Sequence, residues 1–175
     1  MKSFKKLFLE KFDFTKAEQD VVWNSVGNKT WMTSFNYNIE SDSFDQEGTS
    51  DVYYITVQLV NKPKSFSSPL SDFNKAFPGV IKDEPYFWID FESKDWGTAT
   101  ISKQDKRRNA RAIINKVVST IVSKVPMSAN LCFTASSDQQ SRVSLYKVLS
   151  KTVAEQFHKK VDSEEFENEV YFLIH

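Results

Sequence analysis

A chain of 175 residues, 40% hydrophobic and formally uncharged, reads as one globular domain long enough to bury a sizeable core. The 23 basic and 23 acidic side chains argue against a nucleic-acid binder of the strongly basic kind. No apolar run approaches a membrane span, and the lone Cys132 excludes an internal disulfide or a thiolate metal cluster.

The opening MKSFKKLFLEKFDF begins like a signal peptide, but Glu10, Lys11 and Asp13 interrupt its apolar region, so a cytoplasmic location is expected. Phe4, Leu7, Phe8, Phe12 and Val21 recur at roughly helical spacing, which makes residues 1–28 an N-terminal helical segment. Asp13 and Thr15 divide it into two short helices, with Thr15 capping the second. From Trp31 to Ile39 apolar and polar residues alternate, the period of a strand. A second strand follows a polar connection around Gly48, with Tyr53, Ile55, Val57 and Leu59 on one face, and the two segments should pair antiparallel.

Residues 61–85 hold four of the five prolines and read as a long irregular insertion, with one short helical turn near Asp72–Phe77. YFWIDFES is a strong strand, and Asp95-Trp96-Gly97 reads as a tight reversal into a further short strand at 98–102. Ala110, Ile113, Ile114, Val117, Val118, Ile121, Val122 and Val125 then form the stripe of a helix that lies on a sheet and stops at Pro126. Asn130–Ala135 is a near-continuous apolar strand, as expected at the centre of a sheet. Ser137 or Asp138 is placed to cap a second helix whose buried side carries Val143, Tyr146, Leu149, Val153 and Phe157. VYFLIH closes the order as a last strand. The aromatic share of 14% suits a sheet-centred core.

Charge is balanced overall but not locally. Six basic residues and one acid, Asp105, lie between Lys103 and Lys116, whereas Asp162, Glu164, Glu165, Glu167 and Glu169 crowd one acidic loop. The two segments either attract each other or are separate solvated surfaces. Two parallel strands joined by a helix leave that helix's N-terminus at the sheet edge, where free N–H groups and Arg107, Arg108 and Arg111 attract anions. Cys132 sits in an apolar run and reads as an inert buried thiol. His158 and His175 are too few for a histidine-based metal site, and the four scattered glycines form no nucleotide-binding loop.

From about Trp31 to the C-terminus this order resembles the GNAT superfamily of N-acetyltransferases. The resemblance implies an α+β fold with a mixed, mostly antiparallel sheet and helices on both faces. The family's coenzyme loop, Arg/Gln-x-x-Gly-x-Gly/Ala, aligns with Arg107, Arg108, Asn109, Ala110, Arg111 and Ala112. Arg107 and Ala112 match, while Ala110 stands where the family has glycine. The family's second-helix motif aligns at Leu145, Tyr146 and Leu149. The resemblance therefore implies acetyl-CoA as cofactor, bound by residues 107–112, with Tyr146 protonating the departing thiolate. A glycine lets backbone approach a pyrophosphate, and Ala110 obstructs that approach. A helix starting at Asp105 rather than near Asn109 would spend the same N–H groups on its own bonds.

Amine acetylation also needs a base, and Asp90 and Glu92 are same-face carboxylates on the YFWIDFES strand, with Glu92 preferred. A small-molecule or peptide amine is the acceptor class. Residues 98–157 are also loosely similar to small bacteriophage proteins, which implies the alternative of a non-catalytic accessory protein with a protein partner in the cytoplasm of an infected host. Nucleic-acid binding through Lys103, Lys106, Arg107, Arg108 and Arg111 is a weaker third reading.

Overall fold

The computed structural model describes residues 21–27, 29–37, 44, 51–60, 70–82, 84–93 and 105–175. They form an α+β fold around one seven-stranded mixed sheet. The strands are β1 (Asn24–Gly27), β2 (Thr30–Tyr37), β3 (Asp51–Val60), β4 (Tyr86–Ser93), β5 (Asn130–Ser136), β6 (Val161–Phe166) and β7 (Glu169–Ile174). Three helices lie among the described residues: α1 (Leu70–Ala76), α2 (Asp105–Lys124) and α3 (Gln140–Phe157). The sheet order is β1-β2-β3-β4-β5-β7-β6, and every pairing is antiparallel except β4 with β5.

Strand alternation gives the sheet two apolar faces, and the helices divide between them. The apolar stripes of α2 and α3 bury Tyr53, Ile55, Val57, Ile89, Phe91, Leu131, Phe133 and Phe172 on one face. On the other, Phe73, Phe77 and Ile81 cover Tyr86, Cys132, Tyr171 and Leu173. Burial of this kind contributes about 1.5–3 kcal/mol for each large apolar side chain removed from water. Stacked rings run across the first face from Phe35 to Tyr53 at 5.3 Å and from Tyr53 to Phe91 at 5.6 Å. Among the described residues Tyr37, Tyr53, Phe91, Phe133, Tyr146 and Phe172 are core rings.

The structure departs from the sequence-based expectation at three places. Residues 24–27 are a strand, not helix: Gly27 at φ +99° and Lys29 at φ +56° reverse the chain tightly, so β1 folds back on β2. The acidic loop is the edge strand β6, joined to β7 by a turn with Glu167 at φ +57°. Its polar VDSEEF pattern hides the period of a strand that is solvated at its centre. The helical turn expected near Asp72–Phe77 is present as α1, and the described part of the 61–85 insertion covers the second sheet face, because Phe73, Phe77 and Ile81 are buried. Finally, the N-cap of α3 is Gln139, which makes no side-chain capping bond, so neither Ser137 nor Asp138 fills that role. The strand expected at 98–102, the helices expected before residue 21 and the polar run at 61–69 lie outside the described residues.

Candidate functional site

β4 and β5 run parallel but stay paired only over Tyr86↔Asn130, Phe87↔Leu131 and Trp88↔Cys132. Beyond Trp88, β4 remains paired with β3 as far as Ser93, while β5 continues against β7. The two parallel strands thus part company, and α3 crosses the split.

Tyr146, one helical turn beyond Arg142 on α3, fills the place that a paired β5 would occupy. Its hydroxyl donates to the Phe91 carbonyl at 2.9 Å and accepts from the Phe91 N–H at 3.2 Å. One side-chain oxygen therefore satisfies both backbone groups of a strand residue that has lost its neighbour. Arg142 Nη2 donates to the same hydroxyl at 3.3 Å and to Asp90 Oδ1 at 3.4 Å, with the guanidinium 5.3 Å from the Tyr146 ring centre.

The strand period decides which side of the sheet each group comes from. Ile89 and Phe91 face α2 and α3, whereas Tyr86 and Trp88 face α1. Asp90 and Glu92 share the parity of Tyr86 and Trp88, and so arise on the α1 face. Tyr146 enters from the opposite, helical face and meets the Phe91 backbone in the plane of the sheet. The split is therefore reached from both sides: phenol and guanidinium from one, two carboxylates from the other.

Electrostatics follow from this arrangement. Hydrogen bonding to Asp90, then burial, hold the Glu92 carboxyl up from its ordinary 4.5 to about 7. Burial first, then the Asp90 charge, push the Tyr146 phenol to about 12, against the opposing pull of Arg142 and the Phe91 N–H. Burial likewise raises the Glu169 carboxyl on β7, while Arg142 works in the other direction. Cys132 lies on the α1 face, and full burial raises its thiol far above the thiolate range, as expected of an inert core residue.

Glu92 and Tyr146, singled out in the sequence, thus stand at one structural feature. The residues aligned with the coenzyme loop do not form a loop. Helix α2 starts at Asp105, which places Arg107, Arg108, Asn109, Ala110, Arg111 and Ala112 on its first turns. The N–H groups of Asn109 through Ala112 bond to carbonyls one turn back, so they form no backbone cradle. Among the described residues the parallel partner of β5 is β4. Arg142 was missed: its i, i+4 spacing to Tyr146 was legible, but its role depends on where α3 crosses the sheet.

No group of metal-ligating side chains assembles among the described residues, and no described helix is long and apolar enough to cross a membrane. No family model, curated protein or solved structure matches the chain.

Proposed function

We propose that this chain is an acyl-CoA-dependent, N-acetyltransferase-like protein that works at the β4/β5 split. The observation that carries the reading is the convergence on that split of a proton donor from one face and a proton acceptor from the other. Transfer of an acyl group from a thioester to an amine needs both: the amine sheds a proton as its nitrogen bonds carbon, and the departing sulfur takes one. Glu92 is the acceptor, since a carboxyl titrating at about 7 is half ionised near neutral pH. Tyr146 is the donor, and its phenol is protonated at any physiological pH. The one parallel pair, parting under a helix that carries the tyrosine, supports this reading.

The residues fit an acyl thioester at its reactive end. The Tyr146 hydroxyl, kept in place by the Phe91 N–H, gives its proton to the Phe91 C=O, the one bond that a thiolate sulfur would compete for. At the phosphate end the basic side chains at the start of α2 would supply charge in place of backbone. Acetyl-CoA is the acyl donor, and a small-molecule or peptide amine approaches from the carboxylate face. Glu92 takes the N–H proton, Tyr146 gives its own to sulfur, and solvent carries the proton from Glu92 back to the phenol. A reducing cytoplasm, in a bacterial host if the chain is of phage origin, remains the proposed setting.

A second reading is favoured by a specific observation. Tyr146 already satisfies both Phe91 backbone groups, and the N–H groups of Asn109 through Ala112 are spent inside α2, as a scaffold that has lost its ligand would show. That chain would be a non-catalytic accessory protein acting through a protein partner. Nucleic-acid binding by the basic start of α2 requires affinity that falls about one log unit per log salt for each phosphate contact. Thermal unfolding with acetyl-CoA separates the first two. Acyl-CoA binding at 100 times its dissociation constant adds about 2.7 kcal/mol of stability, whereas an unmoved transition at millimolar acetyl-CoA favours the accessory protein.

A further inference from the structure

We propose that Arg142 is the positioning residue for proton delivery at the split, holding the Tyr146 oxygen in place while its proton leaves. The delivery step rests on the acyl-transfer reading; the hold on the oxygen rests on geometry alone. A phenol oxygen has one proton and two lone pairs. The proton goes to the Phe91 carbonyl at 2.9 Å, and the lone pairs receive the Phe91 N–H at 3.2 Å and Arg142 Nη2 at 3.3 Å. Asp90 Oδ1, 3.4 Å from the hydroxyl, then gets no proton from Tyr146 and is served by Arg142 Nη2 at the same distance.

Proton delivery changes only one of these bonds. As the C–S bond breaks with its electron pair on sulfur, the Tyr146 proton moves from the Phe91 carbonyl to that sulfur. The negative charge comes to rest on the phenol oxygen, where two donors already point at it. One is a backbone N–H and the other a guanidinium, the stronger of the two for an anion. Without Arg142 the phenolate would keep a single donor and face the Asp90 carboxylate unshielded. The second proton of Nη2 ties Asp90 down, so one side chain both supports the new charge and neutralises its nearest opponent. Lysine would bring the charge without the planar Nη2 that sets one N–H on each oxygen.

The test begins with the phenol itself. Two ring fluorines on Tyr146 lower its ionisation into the range where the chain is folded, and fluorine NMR follows the titration. Arg142→Gln should raise the midpoint by about one pH unit, a tenfold tighter proton. Arg142→Lys, which keeps the charge and guards against a failure to fold, should raise it less. Turnover is then compared for acetyl-CoA and for an S-aryl thioacetate, whose thiolate leaves without a proton. Arg142→Gln should slow the first about tenfold or more, spare the second and leave KM nearly unchanged. An unmoved midpoint overturns the inference whatever the chain acylates, and equal losses on both donors overturn the delivery role. A midpoint moved by Arg142→Gln, with a wild-type chain that transfers no acetyl group, leaves the hold standing and overturns the acyl-transfer reading instead.

Discussion

The two halves of β4 solve the same problem in different ways. From Tyr86 to Trp88 the strand has strands on both sides, and its edge toward β5 is closed by a parallel ladder. Next to it Asn130 donates to Glu84 at 2.7 Å and accepts from Lys159 at 2.8 Å, a chain of bonds that fastens the start of β5. Beyond Trp88 the ladder ends, and a single hydroxyl from a helix replaces it at Phe91. Backbone pairing is permanent as long as the sheet exists. A side-chain hydroxyl can pass its proton to another acceptor while the strand stays folded, so the second half is the less permanently closed part of the strand.

Three substitutions probe this contrast. The largest effect is expected from Leu131→Ala, which empties a fully buried site in the paired half. It should cost about 3 kcal/mol in urea denaturation; a loss below 1 kcal/mol would show that the paired half is not the anchor. Tyr146→Phe should cost about 2 kcal/mol, because the Phe91 N–H and C=O lose their partner inside the fold. Its local signature is sharper: amide exchange at Phe91 rises about tenfold or more while Phe87, in the ladder, is unmoved. Equal changes at both amides would mean that the halves are not distinct.

The smallest effect concerns Glu92. A carboxyl that holds its proton up to about 7 when folded, against an ordinary 4.5, binds that proton more tightly in the folded chain. Its stabilisation is therefore complete below pH 4.5 and is lost as pH rises to about 7. Glu92→Gln, which keeps a neutral hydrogen-bonding group beside Asp90, should flatten this loss. The difference between pH 5 and pH 8 should be on the order of 1 kcal/mol, small because the group is largely solvated. A stability profile unchanged by Glu92→Gln would remove Glu92 as the titrating group and as the proposed base.

Much of the sheet was legible because its segments carry a clean period. β3, β4 and β5 alternate or run apolar, and the stripes of α2 and α3 identify the buried side down to Tyr146 and Phe157. What escaped lacks that signal. β6 is charged along a solvated edge, and β1 is four exposed residues made into a strand only by the reversal at Gly27. At the site, residue identities were readable and their meeting was not. Glu92 and Tyr146 stand on one side each of a sheet whose opening depends on where β5 turns from β4 to β7. The start of α2 failed for the opposite reason: Arg107–Ala112 carry a loop's residue types on a stretch with good helix propensity, and the helix prevails.

The most direct measurement follows the Phe91 and Phe87 backbone amides by NMR while acetyl-CoA is added. Occupation of the split should shift Phe91 strongly and leave Phe87 in place, as the Tyr146 hydroxyl turns its proton from the Phe91 carbonyl toward the thioester sulfur. Saturating ligand that moves neither amide, or moves Phe87 alone, would contradict the assignment of the split as the binding site.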